Sequence, residues 1–161
     1  MFVAGCIAAA LSKNPTVDKI LDGGLAVIPK GSRLTETVQN VRKWYAQSGN
    51  FDDVCDKIYQ TYGYLPFNGT LNNLALVVLA ILEGNMDYSK TIIAAVCGGI
   101  DTDCNGGTAG SIIGAAVGIS NIESRWYEPL NDTIKSNVAA FGQVSISEVI
   151  DRVIALYHKL K

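Results

Sequence analysis

Apolar positions recur at three- and four-residue intervals along most of the chain. Val17, Ile20, Leu21, Leu25 and Ile28 make one series, Leu34, Val38, Val41 and Tyr45 a second, and Val54, Ile58 and Tyr62 a third. This spacing stacks side chains on one face of a 3.6-residue turn, so each series predicts an amphipathic helix with that face toward a core. Backbone chemistry supplies the breaks. Pro29 and Gly31 end the first helix, Gly49 ends the second, and "GYLPFNG", Gly63 to Gly69, reads as a loop. Thr70 is expected to cap a helix through Leu82, Asp87 to open another through Val96, and Ser147 to lead a last one that carries Ile150, Val153, Ile154 and Tyr157. No alternating run is long enough to predict a strand. The expected class is all-α, a compact orthogonal multi-helix domain occupying residues 1–161 as a single unit.

Composition narrows the partners. The 161 residues are 48% hydrophobic and 17% charged, with a formal net charge of -2, which suits one globular domain and gives no basic face for nucleic acid. Small molecules or other proteins are the expected partners. "LALVVLAIL", Leu74 to Leu82, falls short of the roughly 20 apolar residues a bilayer core requires, and the longer run near Gly98 is broken by Asp101 and Asp103. No membrane association is expected, and the cytoplasm is the expected location. The opening "MFVAGC" lacks the basic and apolar leader of a signal peptide and reads as the middle of a helix cut into by the start of the chain.

Cys6, Cys55, Cys97 and Cys104 do not have the paired spacing of a zinc site. With so much apolar material available, a disulfide framework is not needed either. Cys6, Cys55 and Cys97 are expected to be buried and reduced. Cys104 differs because of its neighbours.

Those neighbours form "CGGIDTDCNGGTAGSIIGAAVG", Cys97 to Gly118. Gly98 and Gly99 free the backbone to turn, and Asp101 or Asp103 then caps a helix running toward Gly118. A single aspartate there needs no further explanation, because carboxylates favour the positive end of a helix. A pair at i and i+2 exceeds what capping requires. Two carboxylates beside Thr102, Cys104 and Asn105 can converge on one hard cation such as Mg²⁺ or Mn²⁺, which prefers oxygen ligands. The helix behind them carries Gly106, Gly110, Gly114 and Gly118 at four-residue spacing, a face that another backbone could approach closely and that suits a central position.

With "GGIDTDCNGGTAGSIIGAAVG" come "RWYEPLNDTIKS", "FGQVSISEV", "SRLTETV" and "TLNNLALVVLAILEGN". Together these segments resemble the C-terminal half of the ADP-ribosylglycohydrolase family, in a bacterial-type branch with an Asp-Thr-Asp-Cys-Asn motif, over nearly the whole chain. The resemblance implies a compact all-α fold with two Mg²⁺ ions, or Mn²⁺, in a central cleft. The reaction it implies is hydrolysis of the N- or O-glycosidic bond between ADP-ribose, or a related ribosyl group, and its carrier. It makes Asp101, Asp103 and Cys104 the metal positions, and it places the substrate along Leu65, Asn68, Asn72, Gly99 and Asn105. The partner so implied is an ADP-ribose-like small molecule or an ADP-ribosylated substrate.

Two departures from the family pattern shape the expectation. The best understood family members carry threonine at the position of Cys104, and a thiol is a poor ligand for Mg²⁺, so either Asn105 or water replaces the hydroxyl or one ion is held weakly. The Thr-Asp-Asp motif and the Gly-Asp-Ala-Leu-Gly loop of the family's N-terminal half are also absent from this sequence. Asp52–Asp53 is the only adjacent acid pair and reads as a solvated first helical turn. The chain alone is therefore expected to be inactive, to lack an assignable general base, and to need a missing N-terminal half or self-association. A noncatalytic binder of ADP-ribose-like ligands, or a structural remnant, stands as the alternative. His158, the single histidine, reads as a polar-face residue of the last helix. Asn73 flanks the Gly63–Gly69 loop with Asn68 and Asn72 and reads equally as a turn residue or a ligand contact. Trp126 and Tyr127 read as core aromatics.

Overall fold

The computed structural model describes residues 1–160 and is predominantly helical. The chain divides into two compact units, Met1–Ile122 and a second that begins at Glu123. The first unit contains α1 (Phe2–Ala10), α2 (Val17–Ala26), α3 (Arg33–Ser48), α4 (Phe51–Tyr62), α5 (Thr70–Gly84), α6 (Tyr88–Cys97) and α7 (Thr102–Val117). Local chemistry sets most of the starts. Thr16, Ser32, Asn50 and Asp87 each accept a hydrogen bond from the backbone amide three residues on, as N-cap side chains do. At α5 the expectation is corrected: Gly69 holds the cap position without a side chain, and Thr70 is the first helical residue.

The hydrophobic centre is α5. Every residue from Ala75 through Ile81 is buried, and the helix touches α2, α3, α4, α6 and α7. A helix apolar on all sides must be enclosed on all sides, and this explains why "LALVVLAIL" shows no polar stripe. The glycine-rich α7, expected to be central, packs instead on α1, α5 and α6 and leaves Gly107 and Ser111 exposed. Its glycine face meets side chains and not another backbone. A Cβ on Gly106 would lie 3.3 Å from Val96, one on Gly110 3.3 Å from Ile92, and one on Gly114 3.3 Å from Tyr88. The α6 side chains at four-residue spacing fill the groove that the missing side chains leave.

All cysteines are free thiols. Cys6 is buried and Cys55 half-buried, but Cys97 is exposed, contrary to expectation, because it shares the outer face of α6 with the exposed Ile93 one turn before it. Asp52 and Asp53 lie exposed in the first turn of α4, as expected.

The second unit opens with short 3-10 turns, in which Trp126 is half-buried and Tyr127 exposed, so neither is the core aromatic expected. A two-stranded antiparallel hairpin follows, β1 (Thr133–Lys135) with β2 (Gln143–Ser145), paired Thr133 to Ser145 and Ile134 to Val144. Three residues per strand are too few to leave an alternating signature. The last helix is α8 (Ile146–Leu160). Its first turn is held by Asp132, whose carboxylate accepts from the Ser147 amide (2.9 Å) and hydroxyl (2.7 Å). No helix among the described residues is long and apolar enough to cross a membrane.

Candidate functional site

The acid pair sits where α6 ends and α7 begins, on a turn that the sequence makes possible and the surrounding helices hold. Gly98 closes α6, and its carbonyl accepts a 2.8 Å hydrogen bond from the Tyr59 hydroxyl of α4. Gly99 has φ +81°, and a Cβ there would stand 2.5 Å from that hydroxyl, so both backbone and space require glycine. Ile100 follows at φ 60°, in the left-handed region that a β-branched residue rarely enters. Such a conformation costs on the order of 1–3 kcal/mol and persists where its surroundings over-determine it.

The over-determination comes from asparagines. The Asn73 Oδ1 accepts from the Asp101 amide (3.2 Å) and from the Asn105 Nδ2 (2.9 Å), while Asn105 Nδ2 also lies 3.4 Å from the Gly99 carbonyl. Asn105 is buried, with its amide turned toward Asn73 and Gly99. Asp101 therefore arrives at the start of α7 with its backbone fixed on both sides.

Its side chain is not spent on the helix. Asp101 occupies the N-cap position, yet its carboxylate accepts no amide of the first turn. The expected capping service is absent because the cap residue has ψ 72° instead of the extended value that aims an N-cap side chain back at its helix. Asp103 and Cys104 are exposed beside it, and ligand atoms of Asp101, Asp103 and Cys104 all lie within 4.8 Å of one another. Among the described residues no other group of three or more acids, histidines or cysteines converges in this way. The Cys104 thiol is pushed above its ordinary value, first by its hydrogen bond to the Asp101 carboxylate and then by the charge of that carboxylate. It stays protonated at neutral pH, which leaves the two carboxylates as the hard donors of the group.

The remaining residues singled out in the sequence separate. Leu65 and Asn72 line a cavity of about 300 Å³ together with Tyr59, Gly63, Phe67 and Ile100. Asn68 is exposed on the loop outside that lining, and Gly99 and Asn105 support the turn. Asn72 is buried and its polar atoms are engaged, Nδ2 donating to the Pro66 carbonyl (2.9 Å) and Oδ1 accepting from the Asn73 amide (3.0 Å). Asn72 and Asn73 both lie in the first turn of α5 and reach back with their side chains to the loop before it. Tyr59, Phe67 and Ile100 went unremarked in the sequence. Tyr59 stands one residue after Ile58, off the apolar series of α4, and its contact with Gly98, 39 positions away, distinguishes it from an ordinary surface tyrosine.

Neither the curated proteins nor the solved structures yield a match to this sequence. The family model described as ADP-ribosylglycohydrolase matches residues 1–159, all but the last two positions. The chain belongs to the ADP-ribosylglycohydrolase family.

Proposed function

We propose that this chain serves glycohydrolase chemistry on ADP-ribosyl bonds by holding a divalent cation, Mg²⁺ or Mn²⁺, on Asp101 and Asp103. Family membership supports the reaction class. The observation that carries the cation is the carboxylate of Asp101, which stands at a helix N-terminus without capping it and faces Asp103 and Cys104 within 4.8 Å. Two carboxylates that cap no helix amide fit a hard cation, whereas the protonated thiol of Cys104 adds no oxygen and makes a weak third partner. Bound there, the cation would supply positive charge for oxygens of the ribosyl group or of an attacking water.

The chain's own residues do the positioning. Tyr59, Asn73 and Asn105 fix the turn that presents the acids. The cavity between Tyr59, Leu65, Phe67, Asn72 and Ile100 opens beside that turn, since Ile100 both lines it and precedes Asp101. An aromatic and aliphatic lining with one amide suits a ribosyl or base moiety of the substrate.

The test is thermal unfolding in chelator and in a Mg²⁺ or Mn²⁺ series. The parent should gain stability with cation, about 2.7 kcal/mol at a hundredfold excess over Kd. Asp101→Asn and Asp103→Asn should each lose that gain while remaining folded in chelator. A gain that survives both substitutions overturns the assignment, and so does a parent that gains nothing.

A further inference from the structure

Among the described residues, Asn73 is the one side chain that hydrogen-bonds to both the loop and the acid turn. Its Nδ2 donates to the carbonyls of Phe67 (2.7 Å) and Gly69 (2.8 Å), and its Oδ1 accepts from the Asp101 amide and the Asn105 side chain. Two donor bonds hold the segment that lines the cavity; of the two acceptor bonds, one holds the backbone amide of the first acid and the other the side chain of Asn105. An asparagine amide has one face that donates and one that accepts, and here each face is used in full on a different element. No apolar residue, and no acid or amine of similar size, supplies both.

We infer that Asn73 is a positioning residue that sets the register between the Pro66–Gly69 loop and the Asp101 turn, so that the cavity and the acid pair hold one geometry together. Its role toward the cation rests on the functional reading above; its role toward the two backbone segments does not. Residues that support metal ligands from behind change metal affinity by about 10–100-fold when removed, because the ligand loses its fixed orientation. Asn73 stands in that relation to Asp101, acting through the backbone amide and making no bond to the carboxylate.

The chemistry of the side chain allows its two halves to be separated. Asn73→Asp keeps an oxygen for the Asp101 amide and for Asn105 but loses both donors to the loop. Asn73→Ala loses everything. Hydrogen–deuterium exchange of the cation-free chain, with folding checked by circular dichroism, reads the outcome by peptide. In Asn73→Ala, exchange should rise both in the segment that spans residues 64–70 and in the segment that spans 98–104. In Asn73→Asp, it should rise in the first segment while the second stays as protected as in the parent. A merely destabilising change would raise both in both variants. Asn72→Ala serves as the comparison, since Asn72 also secures the loop, through Pro66, and makes no bond to Asp101. It should loosen residues 64–70 alone.

Mn²⁺ binding followed by electron paramagnetic resonance supplies the second readout. Asn73→Ala should weaken Mn²⁺ at least tenfold relative to the parent, and Asn72→Ala by less than about threefold. If Asn73→Ala leaves the exchange of residues 98–104 unchanged, or if Asn73→Asp loosens both segments equally, the inference is overturned. If the exchange pattern holds while the parent binds no Mn²⁺, the positioning role stands and the cation reading fails. Should Asn73→Ala not fold, Asn73→Asp decides alone by its asymmetry.

Discussion

The Tyr59 hydroxyl donates to the Gly98 carbonyl at 2.8 Å, and the same hydroxyl lies where a Cβ on Gly99 would have to go. One tyrosine of α4 thus both holds the end of α6 and dictates glycine at the next position. The two effects are separable. Tyr59→Phe keeps the ring and should cost about 0.5–1.5 kcal/mol in chemical denaturation, the net value of one hydrogen bond. Gly99→Ala adds a side chain at positive φ and a clash, and should cost about 1–3 kcal/mol. In the double variant the clash is relieved, because the ring carbon that bears the hydroxyl lies 3.8 Å from where that Cβ would stand. Its cost should be less than the sum of the single costs, as coupled neighbours require. Strict additivity would show that the Tyr59 hydroxyl does not occupy this position in solution.

Replacement of the acids discriminates capping from ligation in the absence of cation. Asp101→Ala at a working N-cap would cost about 0.5–2 kcal/mol. Because the Asp101 carboxylate accepts no backbone amide, the loss in chelator should stay within the smaller contribution of charge at a helix N-terminus, about 0.3–1 kcal/mol. A loss near 2 kcal/mol would restore the capping role.

The thiols give a pH dependence with a definite sign. Burial pushes Cys6 up to about 12, partly offset by a hydrogen bond with the Gly24 backbone. The folded value lies above the unfolded one, near 9.0, so the contribution is fully present below pH 9 and is lost as pH rises toward 12. Up to about 1.4 kcal/mol per pH unit should disappear across that window, and Cys6→Ala should flatten this part of the profile. At pH 8, Cys97 should react with iodoacetamide in the native chain and Cys6 only after unfolding. Cys104, though also exposed, should react more slowly than Cys97 because Asp101 holds its proton; Asp101→Asn should accelerate it. No acceleration in that variant would refute the contact.

Two glycines of similar helical setting should respond in opposite directions to alanine. At Gly84, near the end of α5, a Cβ would stand 2.8 Å from the Thr91 Cα, against backbone of α6 that cannot step aside. Gly84→Ala should destabilise by about 1–3 kcal/mol. At Gly107, in the first half of α7, nothing lies within 4 Å, and Gly107→Ala should stabilise by about 0.5–1 kcal/mol through helix propensity. Denaturant midpoints of the two variants check both signs at once.

The sequence by itself determined the helices, the all-α class, the loop at Gly63–Gly69 and the acid pair on a glycine turn. Each is a short-range property: three- and four-residue periodicity, proline and glycine breaks, and side chains able to reach amides three residues on. It also carried the family, because the Asp-Thr-Asp stretch and its flanking segments are local strings of residues. Tertiary structure alone decided which helix is central. Both α5 and α7 lack a polar stripe, and only packing reveals that α5 is enclosed by large apolar neighbours while the small residues of α7 make room for Tyr88, Ile92 and Val96. It alone exposed Cys97, which shares the outer face of α6 with Ile93 one turn before it, while the next residue, Gly98, is buried against α5. The support of the site was equally hidden. Tyr59 reaches Gly98 across 39 positions and Asn73 reaches Asp101 across 28, and nothing local in a tyrosine or an asparagine tells which distant backbone group it will meet. The donors and acceptors were written in the chain, but their partners exist only once α4, α5, α6 and α7 are packed.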